Sequence, residues 1–479
     1  MVVALDGTAL TVVQPALQRD LDASFAQVQW TSTGYLIAVA SLLVFAGRLG
    51  DRYGHRRVFA VGTLGFAAAS AGVGLASGVG WVIALRVAQG VFGALLQPAT
   101  LGMLRAAFPA DRLGMPIALR TSAIGLSAAA GPVLGGALAT ELGWRSVFFL
   151  SVVPALLIGV LALVVRVPTV RDGGGAPAPG LDLPGAGLLA VALACLVHTL
   201  VAVPDQGWTA ATAAGLLAAV VAGGAFVRHE RRAASPLVPP RLLGAAAVGP
   251  ALGILVAASA AMFGALFVGT YFLQDVLGLD PLHSALRALP LAVMMVVGAP
   301  LAAVLLRRQG PRRTVTAAMA VLALGVLALS RLDGSSGPLA TGVAFALVGA
   351  GFGTVMVAAT AVVVRHAPVA DAGVAGGLQQ TAMNVGPTVG IAAATTLMTA
   401  LTSPTDRPQG HDPHWPHDAS LSAMTPTLTV LAAVAALGAL AATRLPGATN
   451  RPRAATPSRP SGASRAPVPR SPGRRRDAG

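Results

Sequence analysis

Long apolar runs separated by short polar segments dominate the chain. A helix needs about 20 mainly apolar residues to cross a bilayer, and runs of that kind, bounded by charges, prolines or glycine-rich turns, occur fourteen times. The predicted spans cover residues 1–17, 29–47, 58–77, 80–104, 115–140, 145–165, 185–204, 209–227, 248–273, 285–306, 314–331, 338–364, 375–401 and 424–443. The pattern predicts an all-α polytopic membrane protein. Only five residues precede Asp6 in the first span, so we expect span one to be truncated and the true start codon to lie upstream.

Composition argues against a soluble enzyme. Of the 479 residues, 55% are hydrophobic and 11% are charged, whereas a soluble domain carries about 25% charged residues. The polar side chains are too few to cover the surface of two or three soluble domains. A single cysteine, Cys195, leaves no disulfide or thiolate metal site within one chain.

The distribution of arginine predicts the orientation in the membrane. All 33 basic residues are arginine, and basic loops stay on the cytoplasmic side during insertion. With an even number of spans both termini share a side, and placing them in the cytoplasm puts 27 arginines there and five outside. We therefore expect a multi-pass protein of the bacterial cytoplasmic membrane with both termini cytoplasmic. The net charge of +15 then reflects topology and contact with anionic lipids rather than nucleic-acid binding.

Two pairs of related segments indicate an internal repeat. Segment 47–57 follows span two and segment 303–313 follows span ten, at an offset of 256 residues. A Gly-Pro pair at 131–132 in span five corresponds to another at 386–387 in span thirteen, at an offset of 255. Two six-helix units with two extra central helices indicate an alternating-access carrier, in which the substrate binds between the repeats.

This repeat divides the chain into six parts. They are an N-terminal six-helix bundle (1–165), a cytoplasmic linker (166–184), two extra helices (185–227), a cytoplasmic loop (228–247), a C-terminal six-helix bundle (248–443) and a disordered Arg/Pro-rich cytoplasmic tail (444–479). The tail lacks apolar periodicity, and contact with lipid headgroups is its expected role.

Few ionisable side chains lie deep inside the predicted spans. Such groups are interpreted as functional, because a charge inside a bilayer has a high free-energy cost. Asp6 in span one is predicted to carry protons, since a desolvated aspartate can bind and release a proton near neutral pH. Arg86 in span four stays charged and is expected to act with that carboxylate, a fixed structural ion pair being the alternative. His198 is interpreted as a core or snorkelling histidine. No metal site is predicted at the histidines of the 411–417 loop, which composition explains as well.

Two glycine-containing segments predict moving parts. In span five, Gly131, Pro132, Gly135 and Gly136 combine close helix packing with a kink and predict a packing hinge. Between spans two and three, an aspartate between spaced glycines lies beside several arginines, which predicts a charge latch that holds the cytoplasmic side shut. The residues of this gating loop are Gly47, Asp51, Arg52, Gly54, Arg56 and Arg57. A topogenic anchor is the alternative role of the same charges.

These segments resemble the motifs of a known family. Segment 47–57 looks like the loop signature of the major facilitator superfamily, and 86–94 resembles its span-four motif. Segment 131–136 is similar to the span-five motif that marks its antiporters. Together with 5–15 and the fourteen predicted spans, these segments resemble the drug:proton antiporter branch.

The resemblance implies proton-driven export of lipophilic compounds, with the proton gradient as driving force and no cofactor. Asp6 and Arg86 match family positions tied to proton coupling, and Asp51 matches the gating acid of the loop. The sequence departs from the family pattern at several positions. These are Thr11, Gln14, Phe92, Ser127 and Met383, together with Arg307 opposite Asp51 in the second-half loop.

The substrate is expected to be a lipophilic, neutral or monocationic small molecule, because spans nine to thirteen carry no deep carboxylate. Polar side chains in an otherwise apolar cavity would contact it. They are Gln14, Tyr35, Gln89, Gln97, Gln379, Gln380 and Asn384. Hydrogen bonding between helices is the alternative role for each amide.

Two other classes of function are alternatives. A symporter or facilitator for an endogenous metabolite would use the same scaffold, and the direction of proton-coupled flux distinguishes it. A membrane-bound enzyme or sensor needs a catalytic constellation, a phosphate-binding loop or a soluble module, and the sequence shows none of these. The expected partners are therefore the substrate, protons and membrane lipids, without nucleic acid, and we expect a monomer.

Overall fold

The computed structural model describes residues 2–164, 180–401 and 417–446, and this part of the chain is helical without any β-strand. The first six helices are α1 (Val2–Asp20), α2 (Phe25–Tyr53), α3 (His55–Gly74), α4 (Val79–Ala107), α5 (Gly114–Leu142) and α6 (Trp144–Val164). Helices α7 (Leu183–Gln206) and α8 (Ala210–Glu230) follow, and then the short α9 (Pro240–Leu243). The remaining helices are α10 (Val248–Tyr271), α11 (Pro281–Leu329), α12 (Pro338–His366), α13 (Ala372–Leu401) and α14 (His417–Ala442). The predicted all-α fold class is confirmed.

Local sequence sets several helix ends. Ser24 begins α2 with a capping box, in which its hydroxyl accepts from the Gln27 N–H and the Gln27 side chain accepts from the Ser24 N–H. The Asp182 carboxylate caps α7 and the Asp280 carboxylate caps α11, each accepting a backbone N–H of the first turn. These caps satisfy N–H groups that have no partner within the helix.

Each predicted span overlaps a helix of the described residues, but the predicted count of fourteen spans is not confirmed. Eleven helices of the described residues are long and apolar enough to cross a membrane. The predicted spans 285–306 and 314–331 lie on either side of Gly310 in α11, where the backbone is not helical, so α11 consists of two successive helices joined at a kink. Helices α1 and α13 are not among the eleven, because Asp6 and several amide side chains lower their hydropathy.

Two glycines with the same unusual backbone mark the internal repeat. Gly54, between α2 and α3, has φ 93°, and Gly310, within α11, has φ 79°. The two positions are 256 residues apart, which is the offset found in the sequence. A positive φ of this kind is readily adopted only by glycine. The two halves therefore turn from one helix to the next by the same backbone device.

The two halves meet through α2, α4 and α5 of the first half and α11, α12 and α13 of the second. Helix α2 packs on α13, and α5 packs on α11, where the Ser122 hydroxyl donates to the Val296 carbonyl at 2.7 Å. Helix α7 packs on α8 and also on α2 and α13, so α7 lies against both halves. A large cluster of buried apolar side chains fills the second half, and smaller clusters fill the first.

The glycine turns provide a test of the repeat. We expect Gly54→Ala and Gly310→Ala each to lower the free energy of unfolding by about 1 to 3 kcal/mol, because alanine at these φ values is strained. A methyl group at Gly54 would meet no atom within 4 Å, so the cost there arises from the backbone alone. Thermal unfolding of the purified protein in detergent measures the change.

Gly298→Ala is the matched control, since Gly298 lies within helix α11 and a Cβ there also meets nothing within 4 Å. It should unfold at or above the wild-type temperature because alanine favours helix. Equal unfolding temperatures for Gly54→Ala and wild type would contradict the proposed role of the turn.

Candidate functional site

A buried ion pair joins α1 to α4 inside the first half. Asp6 is 4% exposed and Arg86 is 1% exposed, and the Arg86 Nη1 atom lies 2.6 Å from Asp6 Oδ2. The Arg86 Nε–H also donates to the backbone carbonyl of Thr31 at 3.1 Å. The structure thus brings together the two residues that the sequence singled out for proton coupling.

A hydrogen-bonded network surrounds this pair. The Gln89 amide donates from Nε2 to Asp6 Oδ1 at 3.0 Å and to Ser70 Oγ at 2.7 Å. Arg86 also donates to the Gln89 Oε1 atom, and its guanidinium lies 4.4 Å from the centre of the Tyr35 ring. Gln89 and Tyr35 therefore belong to the Asp6–Arg86 network, whereas the sequence analysis placed them in the substrate cavity. The sequence could not show this, because helix packing decides which way each side chain points.

The Asp51 carboxylate joins the two halves at the end of the bundle where the α2–α3 turn lies. It accepts from the backbone N–H groups of Gly373 at 2.6 Å and Val374 at 3.0 Å, in the first turn of α13. The Nε2 atom of His55 lies 3.3 Å from Asp51 Oδ1. A carboxylate is stabilised at a helix N-terminus by free N–H groups and by the helix dipole. These contacts differ from the predicted charge latch with arginines of the same loop.

The loop arginines make other contacts. Arg56 donates to the carbonyl oxygens of Ala162 at 3.4 Å and Leu163 at 3.1 Å, at the end of α6. The Arg52 guanidinium lies 5.5 Å from the centre of the Tyr53 ring, and Arg57 is exposed. Arg56 thus ties the loop to the first half, while Asp51 reaches the second.

A second contact at the same end was missed by the sequence analysis. The Arg48 Nη1 atom lies 3.2 Å from Asp371 Oδ1, and the two residues are 5% and 1% exposed. Arg241 lies 2.8 Å from the other oxygen of Asp371, and Arg48 also donates to the carbonyl of Pro236 at 3.2 Å. The sequence places Arg48 within segment 47–57 and Asp371 immediately before α13, so both residues were candidates for a contact at this end. Only the tertiary structure shows that they pair.

Backbones also touch directly where the halves meet. A Cβ atom added to Gly47 would lie 2.1 Å from the carbonyl oxygen of Gly373, so no side chain fits there. A Cβ atom at Gly377 would lie 2.6 Å from the Leu43 carbonyl oxygen. The bundle is therefore closed between α2 and α13 at this end. We call the contacts of Asp51, Arg48 and Asp371 with their partners the closed end.

The predicted hinge packs α5 against α1. A Cβ atom at Gly131 would lie 1.9 Å from Thr8 Oγ1, and one at Gly135 would lie 2.9 Å from the Ala9 side chain. Gly136 has more room, with the nearest side chain at 3.6 Å. In the second half, Gly386 packs α13 against Ser259 of α10 in the same way. The side chain of Pro132 lies outside the described part of the structure.

A cavity of about 470 Å³ lies between the halves. Helices α1, α3, α4, α5 and α6 line it from the first half, and α12 and α13 line it from the second. Its polar lining residues are Thr63, Gln97, Thr100, Arg120, Gln380 and Asn384, and the remainder are apolar. Gln380 donates to the side-chain oxygen of Gln97, and the Asn384 amide donates to the Gln380 carbonyl at 2.8 Å.

The cavity thus contains three of the seven predicted substrate residues, Gln97, Gln380 and Asn384. Gln14 lies elsewhere and donates to Ser32 Oγ at 2.9 Å, a contact between α1 and α2. Gln379 is fully buried, and its amide has no hydrogen-bond partner among the described residues. His198 was interpreted as a core or snorkelling residue; its ring is exposed and stacks on Trp30 at 5.6 Å. The loop histidines at 411 and 414 lie outside the described residues.

Comparison with known proteins gives three results. Residues 1–391 match the family model described as Major Facilitator Superfamily. The chain is 42% identical over 400 residues to the tetracenomycin C resistance and export protein of Streptomyces glaucescens, covering 83% of this chain and 74% of that protein. It is 34% identical over 411 residues to the probable actinorhodin transporter of Streptomyces coelicolor, covering 83% and 70%. The human organic anion transporter MFSD10 (TETRAN) shares the fold, with a TM-score of 0.62 over 92% of this chain and 97% of that chain at 16% identity.

The Arg48–Asp371 contact predicts a measurable effect on the closed end. Asp371→Asn would leave the buried Arg48 without its counter-charge and should destabilise the closed arrangement by about 3 kcal/mol. The double variant Arg48→Gln with Asp371→Asn should recover much of this loss, because no buried charge is then left uncompensated.

Distances between spin labels measure the closed population. Residues 57 and 365 are exposed on opposite halves near the closed end and can carry the labels in a Cys195→Ser background. Asp371→Asn should lengthen the distance between them, and the double variant should return it toward the wild-type value. If the single variant has the wild-type distance distribution, the pair does not hold the halves together.

Proposed function

Because the chain belongs to the Major Facilitator Superfamily, we propose that it is a proton-coupled antiporter of the drug:proton branch that exports lipophilic small molecules from the bacterial cytoplasm by alternating access. Two relatives support export of such compounds, since one is named a tetracenomycin C resistance and export protein and the other a probable actinorhodin transporter. The proposed cargo is a small molecule of drug or antibiotic type.

The observation that carries this proposal is the buried pair of Asp6 and Arg86. With Asp6 deprotonated, the two charges compensate each other at 2.6 Å. A proton on Asp6 removes the negative charge and leaves a net positive charge on Arg86 inside the bundle, which is costly in a low-dielectric interior. The two protonation states therefore favour different helix arrangements, as a proton-driven change of access requires.

Gln89 and Ser70 support this role by holding the carboxylate in place. Gln89 contacts both members of the pair and also Ser70, so movement of one member disturbs the other. Helix α1, which carries Asp6, packs on α5 at Gly131 and Gly135. We propose that these small contacts let α1 and α5 shift together when the protonation state changes.

The closed end acts as the gate in this proposal. We assign it to the cytoplasmic side, because 27 of the 33 arginines fall on that side when both termini are placed in the cytoplasm. Opening it requires Asp51 to leave the N-terminus of α13 and Arg48 to leave Asp371. The protein then alternates between this closed arrangement and one that is open to the cytoplasm.

The cavity between the halves is the proposed substrate site. Its size lies within the range of drug-sized pockets, and its apolar lining with a few amides suits a lipophilic molecule. A neutral cargo fits this lining well. The expected monocationic cargo fits less well, because the lining residues include Arg120 and no acidic side chain. The proton gradient is the proposed driving force, so transport needs no bound cofactor.

The proposal predicts that Asp6→Asn abolishes substrate-induced proton release. Asparagine keeps the shape of the side chain but cannot carry a proton, so drug binding and proton release become uncoupled. Inverted membrane vesicles that are energised and loaded with a pH indicator measure proton release after a neutral lipophilic drug is added. The loss should exceed tenfold, corresponding to more than about 1.4 kcal/mol.

Asp111→Asn is the matched control, since Asp111 is exposed in the loop between α4 and α5 and should leave the coupling intact. Proton release by Asp6→Asn at the wild-type level would show that the Asp6–Arg86 pair is structural. Drug accumulation by wild type without proton movement would indicate a facilitator, and movement of drug and proton in the same direction would indicate a symporter.

A further inference from the structure

Arg120 places a positive charge in the cavity wall without a carboxylate beside it. It lies in α5, is half-buried and lines the cavity. None of the ion pairs among the described residues includes it. Its side-chain hydrogen bond within that part of the chain goes to Gln380 Oε1 at 3.3 Å. By contrast, Arg48 and Arg86, which are the fully buried arginines of the described residues, each contact an aspartate.

The surroundings of Arg120 do not neutralise it. The other polar lining residues are hydroxyls and amides, and the rest of the wall is apolar. Among its larger apolar residues are Phe59, Phe66, Met356 and Met383, which suit a flat aromatic ring. A guanidinium stays charged in proteins and is costly to desolvate without a counter-charge. The cavity wall thus has no negative charge opposite Arg120, and a negatively charged ligand would supply one.

We infer that the exported substrate is a lipophilic monoanion, an aromatic acid or phenol in its deprotonated form, whose negatively charged oxygen binds Arg120. This inference rests on the proposed function and narrows its substrate class. Arginine binds such oxygens with short, charge-assisted hydrogen bonds from a planar group. Arg120 repels a cation, and no acidic lining residue offsets that repulsion.

An anion bound to Arg120 would also affect a hydrogen bond between the two halves. Arg120 lies on α5 of the first half, whereas Gln380 lies on α13 of the second. An anion that takes the N–H donors of Arg120 competes with Gln380 for them. Gln380 also contacts Gln97 of the first half, so substrate binding weakens one bond between the halves and leaves the other. The occupied cavity is thereby linked to the change of access.

Two dyes of the same shape and opposite charge test the inference. The methyl ester of fluorescein is a monoanion above neutral pH, and its diamino analogue on the same xanthene ring is a monocation. Fluorescence anisotropy measures their binding to the full chain in lipid nanodiscs without a proton gradient. We expect wild type to bind the anion at least about tenfold more tightly than the cation, and Arg120→Gln to lose about tenfold in affinity for the anion alone.

Two variants separate the charge from other effects. Arg120→Lys keeps the charge and should retain the preference for the anion, which also shows that the site is folded. Arg112→Gln removes an exposed arginine from the loop just before α5 and should bind both dyes as wild type does. The neutral methyl ether of the anionic dye should bind equally to wild type and Arg120→Gln.

Several results would overturn the inference. These are no binding of the anion by wild type, binding of the cation as tight as that of the anion, or full anion affinity in Arg120→Gln. Proton coupling is measured separately with a neutral drug and Asp6→Asn. If the neutral drug caused no proton release that depends on Asp6, antiport would be contradicted. The preference for the anionic dye in nanodiscs is an independent result.

Discussion

The cost of a charge in a low-dielectric interior governs the arrangement of this protein. The buried charged side chains of the described residues are stabilised in different ways. Asp6 and Arg86 compensate each other within one half, and Arg48 and Asp371 do so across the two halves. Asp51 is stabilised by the backbone N–H groups at the start of α13, with the His55 ring beside it. Each of these contacts holds one helix against another. A small number of buried charges therefore determines several of the helix contacts.

The internal repeat explains why these contacts lie where they do. Gly54 and Gly310 give both halves the same turn, and Gly131 and Gly386 give both halves the same close helix contact. The repeated scaffold does not carry repeated chemistry, however. The Asp6–Arg86 pair lies in the first half, while the second half supplies Asp371 and the start of α13. The halves therefore have complementary roles at the closed end, and neither half forms that end alone.

Sequence reasoning succeeded for features that depend on neighbours in the chain. The apolar runs predicted the helices because a backbone surrounded by lipid must form its hydrogen bonds locally. The charged residues inside spans identified Asp6 and Arg86, since such residues are rare and costly. The predicted count of fourteen spans is not confirmed at α1 and α13, because these helices carry polar groups and are less apolar than the others. At α11 the two predicted spans are separated by the kink at Gly310, as the glycine in the sequence indicated.

The sequence alone determined that this chain is a helical membrane protein with related segments in its two halves and with an aspartate and an arginine inside its predicted spans. Periodic apolar runs, rare buried charges and an offset between motifs are properties of the chain itself. Only the tertiary structure decided which polar side chains meet. It placed Gln89 beside Asp6, Asp51 at the start of α13, and Arg120 in the cavity wall next to Gln380. Such pairings depend on helix rotation and on contacts between residues far apart in the chain, up to 323 positions in the case of Arg48 and Asp371, and no local pattern encodes them.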